Sequence, residues 1–103
     1  MEKVIRDGKV AVAYSPGYGA GWSSWHGITE LIFHPAIIEA IEAGTQNEIT
    51  PDWIEEKLGF ANVYCSGAED LQIMWIPTGT KFAIEEYDGS EYIITENNLP
   101  LTA

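Results

Sequence analysis

Three things are scarce in this chain of 103 residues: basic side chains, cysteine and long apolar runs. Five lysines and arginines stand against sixteen acids, a net charge of -11. A surface so acidic repels phosphate backbones, which argues against direct nucleic-acid binding. The single cysteine, Cys65, excludes an intrachain disulfide and cannot anchor a zinc site alone. In Val63-Tyr64-Cys65 it reads as a small buried strand residue, with no cation near in sequence to lower its pKa. No apolar run approaches the roughly 20 residues that cross a bilayer. The N-terminus, Met1 to Asp7, lacks an apolar signal region. The expectation is a cytosolic protein without membrane contact. Two histidines leave little for a metal. His26, Glu30 and His34 share an i, i+4, i+8 spacing, but Pro35 and the helix-start signals beside it separate His34 from the others, so no metal is expected.

What is present suits one folded domain over residues 1–103, with 46% hydrophobic residues and no linker, repeat or low-complexity tract. Val4–Val12 reads as a hairpin turned by Asp7-Gly8, its second strand running to about Tyr14 and ended by Pro16. Pro35 and Pro51 each fit the first position of a short helix. Phe33 with Ile38, and Ile49 with Ile54, stand at hydrophobic-staple spacing. Thr50 is an N-cap, and Gly44 and Gly59 are stops. Ala61–Cys65 reads as a short strand, Leu71–Ile76 as another. Lys81–Tyr87 and Ser90–Thr95 form a hairpin about Asp88-Gly89. Leu99 and Leu101 offer an edge strand. The order predicts an α+β fold: a mainly antiparallel sheet, built from an N-terminal hairpin and a C-terminal meander, packed against two short helices.

The residues between hairpin and helix, Ser15 to His26, read SPGYGAGWSSWH. Glycines let a backbone turn sharply and approach a ligand, and successive N–H groups can form an anion nest. Tyr18, Trp22 and Trp25 offer flat faces, Ser15, Ser23 and Ser24 hydroxyls, and Lys3, Arg6 or Lys9 positive charge. The candidate ligand site is therefore Arg6, Ser15, Gly17, Tyr18, Gly19, Gly21, Trp22 and Trp25. The alternative is a corner with Trp22 and Trp25 turned into the core. The stretch is neither a Walker loop, having no lysine, nor a dinucleotide fingerprint. No serine lies in a Gly-x-Ser-x-Gly elbow. Acid pairs such as Glu55-Glu56, Glu69-Asp70 and Glu85-Glu86 point apart and read as solvated surface. No catalytic residues and no cofactor are expected.

Val10–Tyr14 entering Ser15–Trp22, with Phe33-His34-Pro35 and Glu85–Glu91, resembles a family of small uncharacterised proteins of tailed bacteriophages and prophages. The resemblance spans nearly the whole chain, SPGYGAGW being its most specific part. It implies a phage accessory protein acting in the host bacterial cytosol, where many such proteins counter host defence. Two functions follow as expectations. One is a non-catalytic binder of a small nucleotide-like ligand, a sponge for a host immune signal. Such a small chain would then build its pocket between subunits, as a homo-oligomer. The other is an acidic, nucleic-acid-mimicking inhibitor that covers a basic host protein.

Overall fold

The computed structural model describes residues 2–18 and 21–103. The first hairpin joins β1 (Ile5–Arg6) to β2 (Lys9–Tyr14). Asp7 and Gly8 both take positive φ, 51° and 74°, as a primed two-residue turn requires. Two five-residue helices follow, α1 (Trp22–His26) and α2 (Thr29–Phe33). Then come the longer α3 (Pro35–Ala43) and α4 (Pro51–Leu58). The chain closes with β3 (Gln72–Pro77), β4 (Lys81–Tyr87), β5 (Ser90–Thr95) and the short β6 (Leu101–Thr102). The fold is α+β, as the sequence order predicts. The strands divide into two antiparallel three-stranded sheets, β1-β2-β3 and β5-β4-β6. No helix is long and apolar enough to cross a membrane among the described residues.

Local signals set the helices. His34 caps α3, its Nδ1 accepting from the Ala36 N–H at 3.1 Å, and Thr50 Oγ1 caps α4 through the Trp53 N–H. The four residues at staple spacing, Phe33, Ile38, Ile49 and Ile54, are all buried in the core. Gly44 and Gly59 end the two helices in the left-handed conformation.

The core centres on β2. Val10, Ala11, Val12 and Ala13 are wholly buried, because β2 touches α2 and α3 and also β5 of the second sheet. Such continuous burial needs a continuous apolar run, which Val10–Ala13 supplies. Around it lie Leu31, Phe33, Ile37, Ile54, Ile76 and Phe82, with Phe33 and Phe82 meeting edge to face at 6.0 Å. Each such large side chain contributes about 1.5–3 kcal/mol by leaving water.

One expected strand does not form. Residues 61–65 are irregular, with Asn62 at a φ of 58° that no strand admits. Val63 alone in that run is fully buried, and Cys65 is half-buried in a loop rather than a strand. The turn that follows this segment is tied to the start of the glycine loop: Gly67 O accepts from Ser15 Oγ at 2.8 Å.

Candidate functional site

The glycine loop leaves the end of β2 and is fastened by the β4–β5 hairpin. Gly21 N–H donates to Gly89 O at 2.6 Å, Ser90 Oγ to Pro16 O at 2.7 Å, and Glu91 N–H to Ser15 O at 2.8 Å. The centre of the fastening is the Glu91 carboxylate, 1% exposed. Its Oε1 accepts from Ser15 N–H at 2.8 Å. Its Oε2 accepts from Ser23 Oγ at 2.9 Å, Ser24 N–H at 2.6 Å and Ser24 Oγ at 2.8 Å. A buried carboxylate is costly unless such donors replace its water. Among the described residues no lysine or arginine bonds to it. The loop is thus an anion nest whose anion is a side chain of the same molecule.

Two glycines of the loop are fixed by close approach. A Cβ on Gly17 would stand 2.2 Å from Asp70 Oδ2. Gly21 takes a φ of 65°, and a Cβ there would stand 2.7 Å from the Trp25 ring. Gly19, the third glycine of the expected site, lies outside the described residues.

The two tryptophans part ways. Trp22 is fully buried and meets the His26 ring edge to face at 4.4 Å. Trp25 is 51% exposed, lies over Gly21 and pairs with Tyr64 at 5.3 Å. Tyr18 is 81% exposed. Tyr87, opposite Ser90 at the hairpin end, is also exposed. Tyr18 and Trp25 therefore stand out from the segment after β2, and Tyr87 from the hairpin to which Ser15, Pro16 and Gly21 are bonded. Acids border them: Asp70 against Gly17, Asp88 in the turn, and exposed Glu69, Glu85 and Glu86. The segments that build this face, 15–27, 62–70 and 85–92, contain no lysine or arginine.

Arg6 is not brought to the loop. It sits at the opposite end of β2, in a two-bonded pair with Glu42 of α3 at 2.5 and 2.8 Å, its guanidinium 5.3 Å from the Trp75 ring centre. That pair holds the Glu42 carboxyl below its ordinary range, through the hydrogen bond from Arg6 first. Lys3 donates to Thr102 O. Lys9 opposes Pro77, again away from the loop. The N-terminal cations thus offer the loop no charge. The reason is non-local: α3 draws Arg6 through a contact 36 residues away.

Glu91 belongs to the final hairpin, whose carboxylates read from the sequence as acidic exterior, and the structure buries it instead. Alternation along Ser90–Thr95 did not reveal this, since both faces of that strand carry apolar residues.

No group of three His, Cys, Asp or Glu side chains is placed to hold a metal among the described residues. His26 ends α1, Glu30 lies in α2 and His34 caps α3, so their even spacing does not become one helical face. Burial pushes the Cys65 thiol up to about 11, opposed by weak donation from the Trp22 indole, which is the wrong direction for a nucleophile. Among the described residues the Trp22 Nε1 makes no hydrogen bond of ordinary geometry.

His26 carries a pH dependence. Its Nδ1 accepts from the Ile28 N–H at 2.8 Å, which puts the proton of the neutral ring on Nε2, a buried atom without a partner among the described residues. Burial lowers its pKa from 6.5 to about 4. The unfolded chain therefore gains a proton near pH 6.5 that the folded chain refuses until about pH 4. The contribution to stability is full above pH 6.5 and falls as the pH drops toward 4, by at most about 3 kcal/mol. His26→Asn keeps an acceptor for Ile28 N–H and does not titrate. Urea midpoints taken from pH 7 to pH 4 should fall less steeply for this variant than for the wild type. Equal slopes would show that His26 is solvated.

No protein family, curated protein or solved structure matches the chain.

Proposed function

We propose that this is a non-catalytic binding protein that docks on a basic protein surface, in keeping with the phage-accessory context that the sequence resemblance implies. The observation that carries the reading is a set of exposed aromatic rings, Tyr18 and Trp25 on the segment after β2 and Tyr87 on the hairpin fastened to it, with carboxylates nearby in the chain and no lysine or arginine in the segments 15–27, 62–70 and 85–92. Large aromatic side chains held in water contribute most when a partner covers them, and arginine is their favoured counterpart. The acidic border steers a basic partner and repels an acidic one. It also opposes pairing of two copies through this face.

The nucleotide-sponge reading has less support. A phosphate needs free donors, and the Ser15 and Ser24 N–H groups are held by Glu91, the Gly21 N–H by Gly89. Arg6, its intended cation, is engaged by Glu42.

The test is capture from bacterial lysate by immobilised protein, with Trp25→Ala and Tyr18→Ala in parallel. A basic protein should be retained in low salt and released by high salt, and Trp25→Ala should weaken its binding roughly 30-fold. Tyr18→Ala, at a fully wet side chain, should leave the melting temperature unchanged. A retained protein that ignores both substitutions and the salt would sink the reading.

A further inference from the structure

Beside α1, on β4, the second sheet has an unfinished edge. Tyr87 and Ser90 close a two-residue primed turn, with Asp88 and Gly89 at φ 50° and 82°, so they exchange their backbone hydrogen bonds. Alternation then turns the N–H and C=O of Ala83 and Glu85 toward β5. Those of Phe82, Ile84 and Glu86 point to the other edge. Thr80 confirms the parity there, its C=O accepting from Ala103 N–H. That edge is covered by β6 only at Lys81 and Phe82. Leu99, which would meet Ile84 next, lies in the irregular segment before β6, where Asn98 takes a φ of 75°. Ile84 therefore presents a backbone donor and acceptor that nothing in the described residues takes up.

A cleft of about 230 Å³ opens at this place. Ile32, Ile84 and Leu101 give it an apolar floor, and Ser23, Ser24 and Thr29 a hydroxyl rim. Both serine hydroxyls donate to Glu91, so what they turn to a guest is acceptor lone pairs. None of the lining residues is charged. An apolar floor, acceptors on one wall and an unpaired strand edge on the other match an uncharged extended backbone. The volume falls below the 300–1,000 Å³ typical of drug-sized ligands, which fits two or three residues of chain.

We propose that a short uncharged segment of the protein partner adds to β4 at Ile84, in line with β6. The inference rests on the proposed reading in that a protein supplies the strand. Main-chain bonds then give register and hold the partner, while the Trp25 face on the other side of α1 steers it.

The test uses the full chain and two blocked tripeptides, acetyl-Thr-Val-Thr-amide and the same peptide N-methylated at valine. Nuclear magnetic resonance should show saturable shifts at Ile84, Ser24 and Leu101 with the first peptide, and a several-fold slowing of Ile84 amide exchange. The N-methylated peptide, which cannot donate at the central position, should do neither. The proposal is overturned by slow Ile84 exchange in the free protein, by no saturable shift up to tens of millimolar, or by equal binding of both peptides. Neither peptide touches the aromatic face, so such a failure leaves salt-dependent capture through Trp25 standing. Loss of that capture with peptide binding intact would remove the aromatic reading alone.

Discussion

Glu91→Ala is expected to lower the folding free energy by about 4 kcal/mol or more, a large part of the 5–15 kcal/mol that a domain usually has. The size follows from what the carboxylate leaves behind. Serine hydroxyls can rotate to other acceptors, but the Ser15 and Ser24 N–H groups cannot, and Ser15 is wholly buried. Each unsatisfied donor costs about 1–3 kcal/mol, and the vacated side-chain volume adds a cavity cost. Glu91→Gln separates geometry from charge. Its amide nitrogen must face either the Ser15 or the Ser24 N–H, donor against donor, so a loss of roughly 2–3 kcal/mol remains with the shape preserved. Urea denaturation measures both. Formate should restore part of the alanine loss, because it can occupy the vacated nest and binds only the folded chain. A Glu91→Ala protein as stable as the wild type would mean that the loop is held by its backbone contacts to Gly89 and Ser90 alone.

That carboxylate also marks where the sequence stops being legible. The hairpin turns were readable because Asp7-Gly8 and Asp88-Gly89 carry their own conformational preference. The longer helices were readable because His34-Pro35 and Thr50-Pro51 begin them, and Gly44 and Gly59 end them, within a dozen residues. Each signal is local. The glycine loop is different. Its shape is imposed by Glu91, 76 residues from Ser15, and by Gly67, 52 residues away. α1 is only five residues long, so no periodicity could tell Trp22 from Trp25. Whether a tryptophan was core or surface depended on which side of that single turn met the Glu91 hairpin. The misplaced strand at 61–65 has the same origin. Its apolar residues face three different neighbours rather than one sheet: Val63 enters the core, Tyr64 meets Trp25, and Cys65 lies by Trp22.

Trp22→Ala should cost roughly 3–5 kcal/mol, the range for emptying a large aromatic site in a core. Trp22 is the largest fully buried side chain, and it follows a glycine in the left-handed conformation, so the backbone has little freedom to close the void. Its loss should reach further than stability. The indole is the ring that meets His26, and its removal admits water to the imidazole. The His26 titration should then move from about 4 back toward 6.5, read by nuclear magnetic resonance of the ring protons. The Cys65 thiol should fall from about 11 and react faster with a disulfide reagent in the native state. Trp22→Phe is the informative contrast. It removes an indole N–H that makes no ordinary hydrogen bond among the described residues, so part of the lost packing is offset and the cost should stay within about 1–2 kcal/mol. If Trp22→Ala destabilises while His26 keeps its low pKa, the imidazole is sheltered by the packing of Ile28 and α2 instead. The hydrogen bond from Ile28 N–H would then be the element that fixes the ring.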